Sequence, residues 1–225
     1  MNTELIVHIV ISLLSLSGLI VYYRAFTLGY KMHNRQRVVR ADIPEKLYYL
    51  SSYPAFMWYI LPFISQPRMC GVYDWIEGEF TTYNVVYVLA TISIFIFFFC
   101  IWGKKSVSKN AEATKGTFYA PSRLLTDGIY ARVQHPMVIG DILGHFALIL
   151  FSGGVYTCIL FPIYVFIDIC MIRIQVKYSL EPYFASELKE YRKRTPALLD
   201  RRLTMILLLM IVLLISNVII SGRAI

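Results

Sequence analysis

The first candidate for chemistry is residues 125–141, which read LTDGIYARVQHPMVIGD. Asp127-Gly128 predicts a turn. Pro136 suits the first turn of a helix, because its missing N–H is not needed there. His135 is therefore expected at the positive end of a helix, where the backbone favours an anionic group such as a ligand carboxylate. The alternative is a plain junction between a loop and a membrane span.

A second polar stretch follows between residues 180 and 196. Phe184, Leu188 and Tyr191 recur at helical spacing and predict an amphipathic helix that lies at the membrane interface. We expect Pro182 to break the chain just before this helix. The stretch ends in the basic run Arg192-Lys193-Arg194, for which the alternative is a stop-transfer cluster drawn to anionic lipid.

Together the two stretches resemble the isoprenylcysteine carboxyl methyltransferase family, whose wider group includes phospholipid N-methyltransferases. The first family pattern is L-x-T-x-G-x-Y-x-x-x-R-H-P-x-Y-x-G. It is matched here by Leu124 or Leu125, Thr126, Gly128, Tyr130, His135, Pro136 and Gly140. The second is E-E-x-x-L-x-x-x-F-G-x-E-Y-x-x-Y-x-x-R-x-P. It is matched in that register by Leu180, Phe184, Glu187, Tyr191, Arg194 and Pro196.

The resemblance implies an S-adenosylmethionine site on the cytosolic side of the membrane, covered by the two loops. The cofactor residues that it implies are Tyr130, His135, Pro136, Met137 and Gly140, with residues 122–125 (Ser122 and Leu125 at the ends) lining the site. The methyl acceptor would be lipid-like and would enter from the bilayer. Its candidates are a prenylcysteine carboxylate, a phospholipid amine and a small thiol.

The chain departs from the family pattern where catalysis is expected. Val176 and Lys177 stand where the family has paired glutamates, one of which holds the ammonium group of the cofactor. Glu181, one helical turn beyond Lys177, is the candidate replacement. Arg173 is next to the position of the family's active-site arginine, and Arg194 would be a substrate-side or structural cation. Arg173, Arg194 and Glu181 are therefore the candidate catalytic residues.

Two other functions stay open. Membrane sterol reductases that use NADPH resemble this C-terminal region, and some carry a Gly-Asp pair like Gly140-Asp141. Their Asn-Tyr pair is replaced here by Met137-Val138, which favours the methyltransferase. The missing glutamates also allow a non-catalytic relative that binds lipid or a partner.

The elements that must position these residues are membrane helices. The 225 residues are 57% hydrophobic and only 16% charged, with a mean hydropathy of +0.58, whereas soluble domains carry about 25% charge. A spanning helix needs about 20 mainly apolar residues. We predict an all-α polytopic bundle of about six spans with one interfacial amphipathic helix. The spans are expected near residues 5–23, 48–65, 83–102, 137–151, 155–171 and 203–221.

Basic charge predicts the orientation of the spans. The three loops that alternate on one face of the six-span arrangement hold 20 of the 22 Lys and Arg residues, and Arg68 and Arg223 are the others. By the positive-inside rule these loops are cytosolic and both termini lie outside. This distribution explains the net charge of +8 without nucleic acid. We expect N-terminal spans in 1–102, a methyltransferase-like core in 103–202 and a last span in 203–225.

Ionisable residues within the predicted spans need partners, because isolated charges are costly in a bilayer. Asp141 and His145, four residues apart, are expected to form a hydrogen bond with each other, which Asp168 could join. The alternative puts Asp141 on the wall of the active site. No metal site is predicted, and Cys70, Cys100, Cys158 and Cys170 are interpreted as buried thiols.

Overall fold

The computed structural model describes residues 2–34, 42–114 and 117–222, and these residues form helices and loops without a strand. The predicted all-α class is confirmed. The helices are α1 (Thr3–His33), α2 (Asp42–Ile60), α3 (Val72–Ile76), α4 (Thr82–Ile96), α5 (Lys104–Thr114), α6 (Pro136–Ser152), α7 (Val155–Gln175), α8 (Glu181–Arg194) and α9 (Arg201–Ser221). The basic residues Arg35, Arg37, Arg40, Lys115 and Arg223 lie outside the described residues.

Two pairs of these helices are joined by π-helical turns without an intervening loop. A wide π-helical turn at Phe97–Gly103 joins α4 to α5, and another at Val176–Leu180 joins α7 to α8. The expected chain break is present close to Pro182, as a kink at Phe184 within α8 and not at the proline itself. A proline ring clashes with the carbonyl four residues earlier in an α-helix. Here the wider turn precedes the proline, and the departure from helical geometry falls at Phe184 (φ −132°, ψ 28°).

Within the described residues, four helical segments are long and apolar enough to cross a membrane, which indicates a membrane protein. They are Thr3–His33, Thr82–Thr114, Val155–Arg194 and Arg201–Ser221. The helix Pro136–Ser152 is apolar but shorter, and α2 carries tyrosines and charged residues along its 19 positions. The count of six spans stays a prediction.

Helix α6 is the centre of the bundle. Thirteen of its 17 residues are buried, and α4, α7, α9 and the turn after α4 surround it. Its main hydrophobic cluster joins Leu143 and Ala147 to Phe98, Tyr87 and Met210. By contrast, large apolar side chains such as Leu14 of α1 and Val212 of α9 are exposed on the outer surface. An apolar exterior around a packed central helix is what a bilayer surrounding requires.

The loop after α2 holds the C-terminal end of α6 in place. The Met69 N–H donates to the Gly153 carbonyl at 2.8 Å. Gly153 ends α6 with φ +69°, a left-handed conformation that favours glycine. The Arg68 guanidinium donates to the carbonyls of Pro62 and Ser152 and lies 3.6 Å from the centre of the Tyr73 ring. Arg68 therefore has a structural role at this end of the bundle.

The prediction that the four cysteine thiols are buried is wrong, because none is fully buried and Cys70 is half-buried. Cys100 is exposed on the turn between α4 and α5, while Cys158 and Cys170 are half-buried. This turn places Cys100 on the apolar outer surface beside exposed Phe99 and Ile101.

Near its N-terminus, α6 packs closely against Trp102. The Trp102 indole Nε1–H donates to the Pro136 carbonyl at 2.6 Å. A Cβ atom at Gly140 would lie 2.4 Å from Cδ1 of Trp102. Gly140 therefore allows the helix to approach the indole ring, and any larger side chain would force the two apart.

We expect Gly140→Ala to lower the free energy of unfolding by about 1–3 kcal/mol, because the added methyl group collides with the Trp102 ring. Gly144→Ala is the matched control on the same helix, since its Cβ would meet the nearest atom, Phe98 Cβ, at 3.4 Å. Both changes gain the same helix propensity. Denaturation of the purified variants in detergent, without ligand, measures the difference, and equal stabilities would contradict this packing role.

Candidate functional site

A cleft opens beside the N-terminus of α6. Its empty volume is about 680 Å³, including the part open to solvent. Seven of its wall residues were predicted at the cofactor site: Arg123, Leu124, Leu125, Tyr130, His135, Pro136 and Met137. Much of the first sequence motif therefore lines this one cleft.

Backbone hydrogen bonds join the first motif to the end of the second. The Gln134 N–H donates to the Pro196 carbonyl at 2.9 Å, and the His135 N–H donates to the Ala197 carbonyl at 3.1 Å. The Gln134 side-chain amide donates to the Thr195 carbonyl at 2.5 Å. Gln134, a departure from the family pattern, thus helps to connect the two loops that the resemblance predicts above the site.

Helix α8 supplies another part of the cleft wall. Leu188 and Tyr191 are buried and line the cleft, while Glu187 and Arg192 are exposed. The Tyr191 hydroxyl donates to the Tyr130 carbonyl at 2.5 Å. The predicted amphipathic helix is confirmed, and its apolar face packs on the first motif.

A second, more open groove adjoins the cleft and shares Gln134 and His135 with it. Its empty volume is about 830 Å³, including open solvent. Arg173, Lys177 and Glu181 line it, together with Arg192, whose guanidinium lies 3.3 Å from the Glu181 carboxylate. The structure thus brings two of the three candidate catalytic residues, Arg173 and Glu181, next to His135.

Three predicted site residues lie outside the cleft and the groove. Ser122 is exposed and its hydroxyl donates to the Ala113 carbonyl at 2.8 Å, which ties the loop to α5. Gly140 faces Trp102. Arg194 is exposed in the last turn of α8. None of the three lines the cleft or the groove, so their roles at a cofactor or substrate site stay predictions, and a structural role for Arg194 remains one of the two that were expected.

Other cleft residues were not anticipated from the sequence. Asn110, Ala113 and Phe118 come from α5 and the loop after it. Gln175 is the last residue of α7, and Ser179 lies in the π-helical turn that follows. The i, i+3 spacing of Asn110 and Ala113 shows that they share a helix face, but it does not show which part of the chain that face meets. Only the folding of α5 against the first motif brings them to the cleft.

His135 is neutral at physiological pH in this environment. Burial, together with the nearby positive charge of Arg192, lowers the pKa of His135 to about 4. It directly precedes Pro136, the first residue of α6, as predicted. A neutral imidazole at the border of two cavities is able to accept a proton or a hydrogen bond from a ligand.

The expected hydrogen bond between Asp141 and His145 is wrong. The hydroxyls of Tyr59 and Tyr164 both donate to the Asp141 carboxylate. His145 is fully buried and stacks on Tyr164, with ring centroids 4.4 Å apart. Its ring nitrogens have no hydrogen-bond partner among the described residues. The tyrosines come from α2 and α7, so sequence spacing within α6 could not reveal them.

Comparison of the chain with protein-family models, with curated proteins and with solved structures finds no match.

We expect His135 to make the native state less stable as the pH falls from about 6.5 toward 4. In this window the unfolded chain protonates the imidazole, whose ordinary pKa is about 6.5, whereas the folded chain does not until about pH 4. Because the unfolded state binds the extra proton, acid favours it. The apparent Tm of His135→Gln should therefore fall less steeply with pH than that of the unchanged chain. Parallel curves would contradict the lowered pKa.

Proposed function

We propose that this chain is a membrane-embedded methyltransferase that uses S-adenosylmethionine and acts on a lipid-like acceptor. The observation that carries the proposal is the position of His135, which lines both the cleft and the groove. The predicted cofactor residues lie on one side of it, and Arg173 and Glu181 lie on the other. Two ligands held in adjoining cavities would meet at this residue.

The cleft has the character expected of a small-molecule site. Its lining is mainly apolar and aromatic with a few polar groups among them, as in most small-molecule sites. Tyr130 and Met137 offer aromatic and apolar surface, Arg123 offers a cation for a carboxylate, and Asn110 and Gln175 offer neutral hydrogen-bonding groups. When bound, S-adenosylmethionine supplies an electrophilic methyl group on its sulfonium.

The groove is suited to hold and prepare the acceptor. Neutral His135 would accept a hydrogen bond from an amine or thiol nucleophile and so orient it. Arg173 and Lys177 would attract an anionic part of a lipid headgroup. Glu181, paired with Arg192, is the carboxylate of the groove lining and stands in for the missing glutamates. Methyl transfer depends on alignment of the two ligands and on exclusion of water, and the loops joined at Gln134 and His135 would contribute to the alignment.

The proposed topology has six spans, with α2 and α6 added to the four longer apolar segments. Both termini are outside, and the basic loops, the cleft and the groove are cytosolic. The support is the charge distribution: Glu77 and Glu79 lie in the turn between α3 and α4, whereas Arg192 and Lys193 lie on α8. Basic residues are retained on the cytosolic side.

One observation favours a second candidate, the NADPH-dependent sterol-type reductase. Asp141 accepts hydrogen bonds from Tyr59 and Tyr164 within the bundle. It follows Met137, a cleft residue, by one helical turn. These three groups form a proton-bearing network one helical turn from the cleft, and reduction of a carbon–carbon double bond requires a source of a proton. Titration of the purified protein with NADPH, followed by nicotinamide fluorescence, separates this candidate from the methyltransferase.

We expect saturable binding of S-adenosylmethionine or S-adenosylhomocysteine to the purified chain, weakened at least about tenfold by His135→Ala (1.4 kcal/mol or more). Lys193→Ala is the control, because Lys193 is exposed and pairs only with Glu190 among the described residues. Isothermal titration calorimetry in detergent measures both variants. Absence of binding at millimolar cofactor would refute the proposal.

Activity is tested with methyl-labelled S-adenosylmethionine and a total lipid extract. We expect label in a lipid product, and less of it with Arg173→Gln, because Arg173 lines the groove. Cofactor binding without transfer to any lipid or small thiol would instead favour the non-catalytic relative.

The topology is tested with single cysteines in a background whose four natural cysteines are replaced by serine. Glu77→Cys and Glu187→Cys both present exposed positions. We expect an impermeant maleimide to label the first variant on intact cells and the second only after the membrane is opened. Labelling of both from the same side would contradict six spans.

A further inference from the structure

A small cavity lies inside the bundle between α1, α2 and α7. Ser15 and Gly18 of α1, Ser51 of α2, and Tyr164 and Asp168 of α7 line it. Its empty volume is about 280 Å³. Helices α1 and α2 approach each other closely here, at Gly18. A Cβ atom added to Gly18 would lie only 2.9 Å from the Ser51 carbonyl oxygen. The cavity is separate from the cleft and the groove, with which it shares no lining residue.

Asp168 is the charged residue of this lining. Its exposed fraction is 6%, and its Oδ2 atom has no hydrogen-bond partner in the described part of the chain. No described lysine or arginine forms an ion pair with it either. A carboxylate at this depth in a membrane bundle is costly without a compensating charge or donor. Its position therefore points to a ligand that supplies one.

The neighbouring hydroxyl groups define what that ligand must be. The Ser15 hydroxyl donates to the Ser12 carbonyl at 2.5 Å, and the Ser51 hydroxyl donates to the Tyr48 carbonyl at 2.6 Å. The Tyr164 hydroxyl donates to Asp141. Since each hydroxyl has only one hydrogen, these three oxygens have only lone pairs left to offer. With the Asp168 carboxylate, the lining presents an acceptor-rich environment that suits a cation.

We propose that this cavity binds a monovalent cation, with Asp168 as the charged ligand and the hydroxyl oxygens of Ser15, Ser51 and Tyr164 as neutral ligands. Oxygen atoms that replace a hydration shell are the usual means of holding such ions within a membrane. The Trp58 indole, whose N–H has no partner in the described residues, would donate to a water that accompanies the ion.

The charge of the lining favours a monovalent ion over a divalent one. Calcium sites combine six to eight oxygen ligands, commonly with several carboxylates, whereas Asp168 is the single carboxylate here. Asp141, the nearest candidate for a second, is engaged by two tyrosine hydroxyls. Among the described residues no group of three His, Cys, Asp or Glu side chains is arranged to hold a metal ion.

The test is equilibrium binding of radioactive sodium to the purified full-length chain in detergent, without any methyl donor, so that the result does not depend on the proposed methyltransferase. We expect about one saturable site per chain, displaced by unlabelled sodium and not by choline. Asp168→Asn should weaken binding at least about tenfold. Glu187→Gln is the control, because it removes an exposed carboxylate of α8 and should bind as the unchanged chain does.

A double variant keeps the proposal testable if Asp168→Asn does not fold. Ser15→Ala combined with Ser51→Ala retains the carboxylate and removes two neutral ligands, and we expect about tenfold weaker sodium binding, equivalent to 1.4 kcal/mol. If the unchanged chain shows no saturable sodium binding, the proposal is overturned, and a protonated Asp168 would explain how the carboxyl group is tolerated in the bundle. Unchanged binding by Asp168→Asn or by the double variant would overturn it as well.

Discussion

The hydrogen bonds from the Gln134 and His135 backbone to the Pro196 and Ala197 carbonyls are the connection on which the candidate site depends. They join two loops that are about 60 residues apart in the sequence, at the point where α6 begins. Each bond contributes only about 0.5–1.5 kcal/mol. Together with the bond from Tyr191 to Tyr130, however, they hold α8 over the first motif. Because these hydrogen bonds hold α8 in place, its residues Leu188 and Tyr191 form one wall of the cleft.

The same connection explains the electrostatic state of His135. The joined loops bury the imidazole and place it near Arg192, so the neutral form is favoured at physiological pH. A histidine that remained in water would be partly protonated near neutrality. Gln134 fits this arrangement, because its amide donates to the Thr195 carbonyl and adds no positive charge beside the imidazole. The groove then retains its own cations, Arg173 and Lys177.

Polar residues inside the bundle divide into two kinds. Asp141 is satisfied by two tyrosine hydroxyls from neighbouring helices, and such a group stabilises the packing that surrounds it. Asp168 has an oxygen without a partner in the described residues and lines a cavity, which is why it is the stronger candidate for ligand binding. Glycines allow close helix packing near both groups, since Gly140 lets α6 approach Trp102 and Gly18 lets α1 approach Ser51 of α2.

The sequence by itself determined the helical membrane character, the start of α6 after His135, the turn at Gly128 (φ +60°) and the apolar face of α8. These features follow from composition and from periodicity over a few residues, which local backbone chemistry sets. Only the tertiary structure decided which side chains meet. It gave Asp141 its tyrosine partners, brought α5 to the cleft, and left Ser122, Gly140 and Arg194 outside it. Such contacts depend on how distant helices pack, and spacing along one helix contains no information about the residues of another.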